Sequence, residues 1–270
     1  MKMSFDVPFS FICKIGIFFL ISAVLPILMW ASEDKDYPKY GPKDVPIAIP
    51  LSHSHEYFRQ PENPAPDFWR LMPYYEPQFN GGACSVASVV MIVNGFVRAG
   101  HGYDLKDQDT NVSQLDLIQN ETQQQWKGEM TQEGFKGRLG LNLESLDRAV
   151  KSSLITFGMP GVQTKMIQTD KSTPEALSEF RRTLELNEKS SHDFILVHFL
   201  QDILTRSVGG PYPHISPIGA YDIQNRKVLI LDVDRKWYEP YWVPDNLLFE
   251  AMVAKTKTFG HGGYIRIWKP

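Results

Sequence analysis

Cys84 is the residue best suited to covalent chemistry here, because the only other cysteine, Cys13, lies inside an apolar N-terminal segment. The thiol follows Gln78-Phe79-Asn80-Gly81-Gly82-Ala83 and precedes the apolar run from Val86 to Val93. A cysteine at such a junction is expected at the N-terminus of a buried helix, where unpaired backbone N–H groups and the helix dipole favour a thiolate. Far downstream, His214 and Asp232 are the residue types needed to deprotonate a nucleophilic sulfur and to orient the base that does so. Gln78 can aim its side-chain amide at a developing oxyanion beside the Cys84 N–H, and one such donor typically stabilises a transition state by ~3 kcal/mol. Gly81 and Gly82 let a substrate backbone approach closely. Together these residues suggest cysteine-dependent acyl transfer. Singly, each has a plainer reading: a lone buried cysteine is more often inert core, His214 could be a satisfied core histidine, and Asp232 could be a turn residue. Their order along the chain favours the functional reading.

Periodicity indicates the elements that must position them. A helix is predicted from Val86 to Phe96, ended by Asn94-Gly95. Residues 101–134 turn polar and Gln-rich, with a helical turn or two between Leu115 and Trp126. Leu143, Leu146, Val150 and Leu154 form one helical stripe within Leu141–Ile155. Thr173-Pro174-Glu175 opens a further helix, with Thr as cap and Pro at the first helical position, and Leu177, Phe180 and Leu184 form its apolar face. The last third changes period. Phe194–Leu200, His214–Tyr221, Lys227–Val233 and Tyr264–Trp268 read as short strands, with Gln224-Asn225 at a hairpin tip. Antiparallel pairing about that tip brings His214, which opens one strand, towards Asp232, which closes its partner. Helices first and an antiparallel sheet afterwards predict an α+β domain.

The 270 residues suit one domain with extensions, and 43% hydrophobic with 22% charged residues is ordinary for a globular chain. A net charge of −3 with scattered lysines and arginines gives no case for a nucleic-acid partner. Two cysteines exclude a disulfide scaffold and a cysteine zinc cluster, and His53-Ser54-His55 lacks a nearby third ligand, so no metal site is predicted. Residues 1–32 read as a targeting segment: Lys2 and Lys14, the apolar stretch Ile15–Trp30, then Ala31-Ser32 and acidic sequence. The favoured form is a signal peptide cut near Ala31. The alternative is an uncleaved membrane anchor, for which the stretch is short of the ~20 residues of a comfortable span and is interrupted by Pro26. Both send the remainder outside the cytoplasm, to a bacterial periplasm, to the periplasmic side of a membrane tether, or to secretion. Residues 33–66 read as a loosely packed linker and 67–270 as the catalytic domain.

Longer motifs carry a resemblance. His214-Ile215-Ser216-Pro217-Ile218-Gly219-Ala220-Tyr221, followed by Asp232-Val233-Asp234-Arg235-Lys236-Trp237-Tyr238-Glu239-Pro240-Tyr241-Trp242, resembles the catalytic domain of phytochelatin synthases. The likeness runs from about Asp67 to Ile267 and includes the Gln78-to-Cys84 segment, Gly140-Leu141-Asn142-Leu143-Glu144-Ser145-Leu146 and Phe194-Ile195-Leu196-Val197. The resemblance implies a papain-like fold and a γ-glutamylcysteine dipeptidyl transpeptidase. Cys84 would attack the Cys–Gly bond of glutathione, release glycine and hold γ-Glu-Cys as a thioester for water or a second glutathione. It also implies that Arg235 positions the acyl donor, with Gly82, Ala83 and Ser216 as further substrate-contact positions. No cofactor is implied, and any cadmium or zinc dependence would enter through metal-bound glutathione thiolate. The chain departs from the family pattern at three places. Gln201 stands where the family has a basic residue, Pro211-Tyr212-Pro213 is inserted before His214, and Gly262-Gly263-Tyr264 replaces Arg-Gly-Phe. The Cys-rich C-terminal domain of the plant enzymes has no counterpart in these residues, so the chain looks like the short bacterial homologues, which are similar to glutathione hydrolases.

Three functions follow in order of expectation. The first is an exported enzyme cleaving glutathione or a related γ-glutamyl thiol peptide. The second is a papain-like peptidase or amidase acting on another peptide. The third is a non-enzymatic or metal-thiolate binding protein, against which the joint presence of Gln78, Cys84, His214 and Asp232 argues.

Overall fold

The computed structural model describes residues 47–97, 111–120 and 140–270. The expectations for the targeting segment, Cys13 and the first part of the linker therefore lie outside the described residues, as does most of the Gln-rich excursion. No helix among the described residues is long and apolar enough to cross a membrane.

In chain order the elements are β1 (Ile49–Pro50), α1 (Pro66–Leu71), α2 (Cys84–Val97), α3 (Gln114–Asn120), α4 (Leu143–Thr156), β2 (Gln163–Gln168), α5 (Pro174–Glu188), β3 (Asp193–Leu200), α6 (Gln201–Thr205), β4 (Pro213–Asp222), β5 (Lys227–Ile230), β6 (Tyr241–Pro244), α7 (Asp245–Val253), β7 (Lys255–Thr256), β8 (Gly260–His261) and β9 (Gly263–Trp268). Seven strands form one sheet in the order β1-β6-β5-β4-β3-β9-β2, and every pairing in it is antiparallel. The class is α+β.

Helices cover both sheet faces rather than forming a separate half. Alternate residues of β3 show this directly: Leu196 joins one apolar cluster with α2 and α4, while Ile195, Val197 and Phe199 join another with α5 and α7. All eight residues of β3 are buried, as expected of a strand with both sides covered. Helix α2 is buried along its whole length, so its apolar residues need no single stripe.

The helix predicted to end at Asn94-Gly95 continues to Val97. Asn94 turns its amide to the Val112 backbone, donating to the carbonyl and accepting from the N–H at 2.9 Å each. Gly95 packs tightly, since a Cβ there would lie 3.0 Å from Leu71 Cδ2 and 3.1 Å from Phe194 Cζ and these side chains would have to shift. The other helix starts fall close to expectation. The Asn142 side chain caps α4 by accepting from Ser145 N–H, and Thr173 caps α5 by accepting from Ala176 N–H.

The segment 33–66, expected as a loose linker, is from residue 47 onward anchored to the core at a few positions. Ala48 and Ala65 are fully buried and Tyr57 nearly so, and β1 pairs with β6. The cause is Glu188, whose buried carboxylate accepts from Tyr57 Oη at 2.7 Å, Ala65 N–H at 2.9 Å and Tyr221 N–H at 2.6 Å. Three donors from two separate chain segments converge on one acid at the end of α5, which fastens residues 57–65 to β4.

At Gly262 the chain leaves no room for a side chain: a Cβ would lie 2.1 Å from the His198 carbonyl oxygen and 3.0 Å from that of Met252. Both obstacles are backbone. Gly262→Ala is therefore expected to cost about 2 kcal/mol or more, by the overpacking route. Urea unfolding checks this, and an unchanged midpoint would contradict the close approach of β9 to β3.

Candidate active site

Cys84 is the first residue of α2, and the turn before it is built locally. The Asn80 side chain accepts from Gly82 N–H at 2.8 Å, its carbonyl accepts from Ala83 N–H, and the Ala83 carbonyl takes the first helical bond from Ala87. The Cys84 N–H is thus among the helix donors without an intrahelical partner. One turn further, Ser88 Oγ donates to the Ile215 carbonyl at 3.0 Å, which fixes α2 against β4 next to His214.

His214 is the second residue of β4, paired with Phe199, whose ring meets the imidazole edge-on at 5.7 Å. Its Nε2 lies 2.9 Å from Asp232 Oδ1. This contact depends on a bulge. From Asp222↔Lys227 to Ala220↔Leu229 the β4–β5 register is regular, but the next pair is Ile218↔Ile230, leaving Gly219 unpaired. Leu231 N–H donates to the Pro217 carbonyl at 3.0 Å and continues the shifted register. Asp232 thereby falls across from Ser216, on the His214 face. Without the extra residue it would face the opposite side, because a one-residue slip inverts every side chain. A Cβ at Gly219 would meet Leu231 Cδ2 at 2.8 Å, which suits glycine at the bulge.

Both carboxylate oxygens of Asp232 are saturated. Oδ1 accepts from the imidazole and from Asp234 N–H at 2.9 Å, while Oδ2 accepts from Gln201 Nε2 at 2.7 Å and Tyr241 Oη at 2.8 Å. Burial pushes the Asp232 carboxyl up, but the imidazolium and these donors outweigh it and hold it below the ordinary aspartate range. Burial likewise pulls His214 down. The Asp232 charge and hydrogen bond, joined by a hydrogen bond and charge interaction with Cys84, override it and hold the imidazole well above 6.5. With Nε2 on the carboxylate, Nδ1 is left for the thiol. The nearby His198 behaves oppositely: burial, then repulsion from His214, lowers it to about 4, so it stays neutral.

The structure therefore brings Cys84, His214 and Asp232 together in series. Gln78 is joined to the same region by its backbone, its N–H donating to the Val233 carbonyl at 2.9 Å, and its side-chain Oε1 has no hydrogen-bond partner among the described residues. Gln114 braces this segment, accepting from Phe79 N–H and donating to the Pro77 carbonyl. Arg235 is exposed, with its guanidinium over the Tyr75 ring at 4.7 Å. Gly82 is engaged in the Asn80 turn, whereas Ala83 and Ser216 are fully buried, so neither turns its side chain to solvent. Gln201, Tyr241 and Gln114 were not among the predicted site residues. Gln201 stood out only as a departure from a basic residue, and nothing local marks the other two.

A thiol, an imidazole and a carboxylate in series, held on an α+β frame, form an arrangement that can support cysteine-type acyl transfer. The comparisons agree with this class. Residues 46–264 match the family model described as phytochelatin synthase, and the chain belongs to that family. The match begins inside the segment expected to be linker, in keeping with its burial. The chain is 26% identical over 207 residues to "Glutathione gamma-glutamylcysteinyltransferase 3" of Lotus japonicus, covering 75% of this chain and 37% of that protein. It is 26% identical over 211 residues to "Glutathione gamma-glutamylcysteinyltransferase 2" of Arabidopsis thaliana, covering 75% and 40%. A shorter match, 31% over 91 residues, joins it to the enzyme of that name in Schizosaccharomyces pombe, covering 33% and 21%. The chain spans less than half the length of these relatives.

Removing either donor to Asp232 Oδ2 should tell. Tyr241→Phe or Gln201→Leu is expected to cost about 1.5–3 kcal/mol at neutral pH, the range for a hydrogen bond to a buried charge. The sign of the pH dependence follows from the depressed carboxyl: the stabilisation is present above the ordinary aspartate pKa of 3.8 and is lost as pH falls through the lower folded value. Denaturation curves of variant and wild type should therefore converge in acid. A deficit independent of pH would contradict the assignment.

Proposed function

We propose that this chain is a glutathione γ-glutamylcysteinyltransferase-type enzyme on a papain-like frame, working mainly as a hydrolase of the Cys–Gly bond. The observation that carries the proposal is the buried Cys84–His214–Asp232 series within a chain of the phytochelatin synthase family. The Cys84 sulfur attacks the carbonyl carbon of the Cys–Gly bond. The oxyanion is met by the Cys84 N–H and the Gln78 amide. As the C–N bond breaks, His214 gives its proton to the departing glycine amine, leaving γ-Glu-Cys as a thioester on Cys84. Water then attacks the thioester, His214 takes its proton, and the thiolate leaves. The amine of a second glutathione in place of water would give the extended peptide. Arg235 offers a cation for a substrate carboxylate. Metal enters as a thiolate complex of glutathione, that is, as part of the substrate.

Two observations favour an altered acyl-donor grip and keep another peptide donor in view. Gln201 is committed to Asp232, and Gly262 has no space for a cationic side chain. The apolar N-terminal sequence supports export to the periplasm or a tether facing it.

The test is incubation of the purified protein with glutathione, following free glycine and γ-Glu-Cys. Both should appear in equal amounts, and Cys84→Ser should lower the rate by roughly 10³-fold or more. Glycine release that survives Cys84→Ser would overturn the thioester route. Added cadmium should yield some (γ-Glu-Cys)2-Gly, and release from a different γ-glutamyl or peptide amide with none from glutathione would favour the second reading.

A further inference from the structure

Tyr75 makes three contacts that no single structural task requires together. Its hydroxyl donates to the backbone carbonyl of Asp232. Its ring lies beneath the Arg235 guanidinium at 4.7 Å, and its own carbonyl accepts from Arg235 Nη1 at 3.4 Å. Three residues on, Gln78 N–H donates to the Val233 carbonyl at 2.9 Å. Residues 75–78 and 232–235 are thus laid side by side. The first segment leads to Gln78 and Cys84, and the second carries Asp232 and Arg235.

We infer that Tyr75 is a positioning residue with two separable effects: its hydroxyl sets Asp232, and through it His214, relative to Cys84, while its ring pre-orders Arg235 for the carboxylate of the acyl donor. The second half rests on the reading of Arg235 given above.

The competing partners of the guanidinium are accounted for. Glu239 is engaged by Ser52, which donates its N–H at 3.2 Å and its hydroxyl at 2.7 Å, and no ion pair of Arg235 is found among the described residues. An exposed arginine loses rotamer freedom when it grips an anion, and a flat aromatic support removes part of that loss in advance. Apart from the Nη1 contact with the Tyr75 carbonyl, stacking leaves the guanidinium donors open to a carboxylate. The hydroxyl acts elsewhere. A backbone carbonyl held at Asp232 restrains the carboxylate that must meet His214, and small displacements at a reacting centre are costly in rate.

The two effects separate in kinetics with glutathione. Tyr75→Phe keeps the ring and should lower kcat about tenfold with KM near that of the wild type. Tyr75→Leu should lower kcat similarly and also raise KM about threefold, the scale of an exposed cation–π contact. In an Arg235→Ala background the change to Leu should raise KM no further. A second readout needs no substrate: Tyr75→Phe should lower the pH at which the His214 ring titrates, by loosening its carboxylate. An unchanged His214 titration in Tyr75→Phe overturns the first half, and full additivity of the two KM effects overturns the second. If Arg235→Ala leaves KM for glutathione unaltered, the reading of Arg235 has failed and the second half falls with it. The hydroxyl half is then still decided by the ring titration.

Discussion

The site depends on a buried pair of charges. His214 and Asp232 are 5% and 0% exposed, and an isolated charge in such a place would be neutralised by a shifted pKa. The pair persists as ions because each finds the other and because the carboxylate is saturated by three more donors, from Asp234, Gln201 and Tyr241. Removing one partner would leave an uncompensated charge, which is far worse than never having placed the pair. The pair keeps a proton on the imidazole next to the Cys84 sulfur.

Much of the surrounding fold serves that contact. The sheet supplies the His214 strand, the Gly219 bulge turns Asp232 to the correct face, and Ser88 pins the cysteine helix to β4. The stability the pair contributes has a defined window. Because the imidazole is raised, its share is complete below 6.5 and is lost as pH rises through the folded value. Because the carboxyl is lowered, its share is lost only as pH falls through a value below 3.8.

Cys84, His214 and Asp232 were legible as a set from type, order and local context, and so was the Thr173 cap of α5. What sequence could not disclose is parity. An uninterrupted hairpin about Gln224-Asn225 suggests proximity of His214 and Asp232 but puts their side chains on opposite faces, and only the bulge reconciles the two. Two partners of Asp232 were invisible for other reasons: Gln201 lies 31 residues away, and Tyr241, nine residues on, carries no local mark of the contact. The polar, Pro-rich stretch after residue 46 looked like a linker because its anchor, Glu188, lies more than a hundred residues away. Strand β2 was missed because its Gln-Thr-Lys-Met-Ile-Gln sequence is that of a half-exposed edge.

The departures from the family pattern acquire physical content. Gln201 stands where a cation was expected and serves the triad carboxylate as a neutral donor, which leaves the Asp232 charge for His214. Gly262 is glycine because two backbone oxygens occupy the space of its side chain. Neither position offers a cation, whereas Arg235 stands exposed on the Tyr75 ring.

The most direct measurement is titration of the His214 ring by nuclear magnetic resonance, in the wild type and in Asp232→Asn. The ring should remain protonated well above pH 6.5 in the wild type, and its pKa should drop in the variant, where burial acts with less opposition. A wild-type ring that titrates at or below 6.5, or one indifferent to loss of the carboxylate, would contradict the buried ion pair on which the site is built.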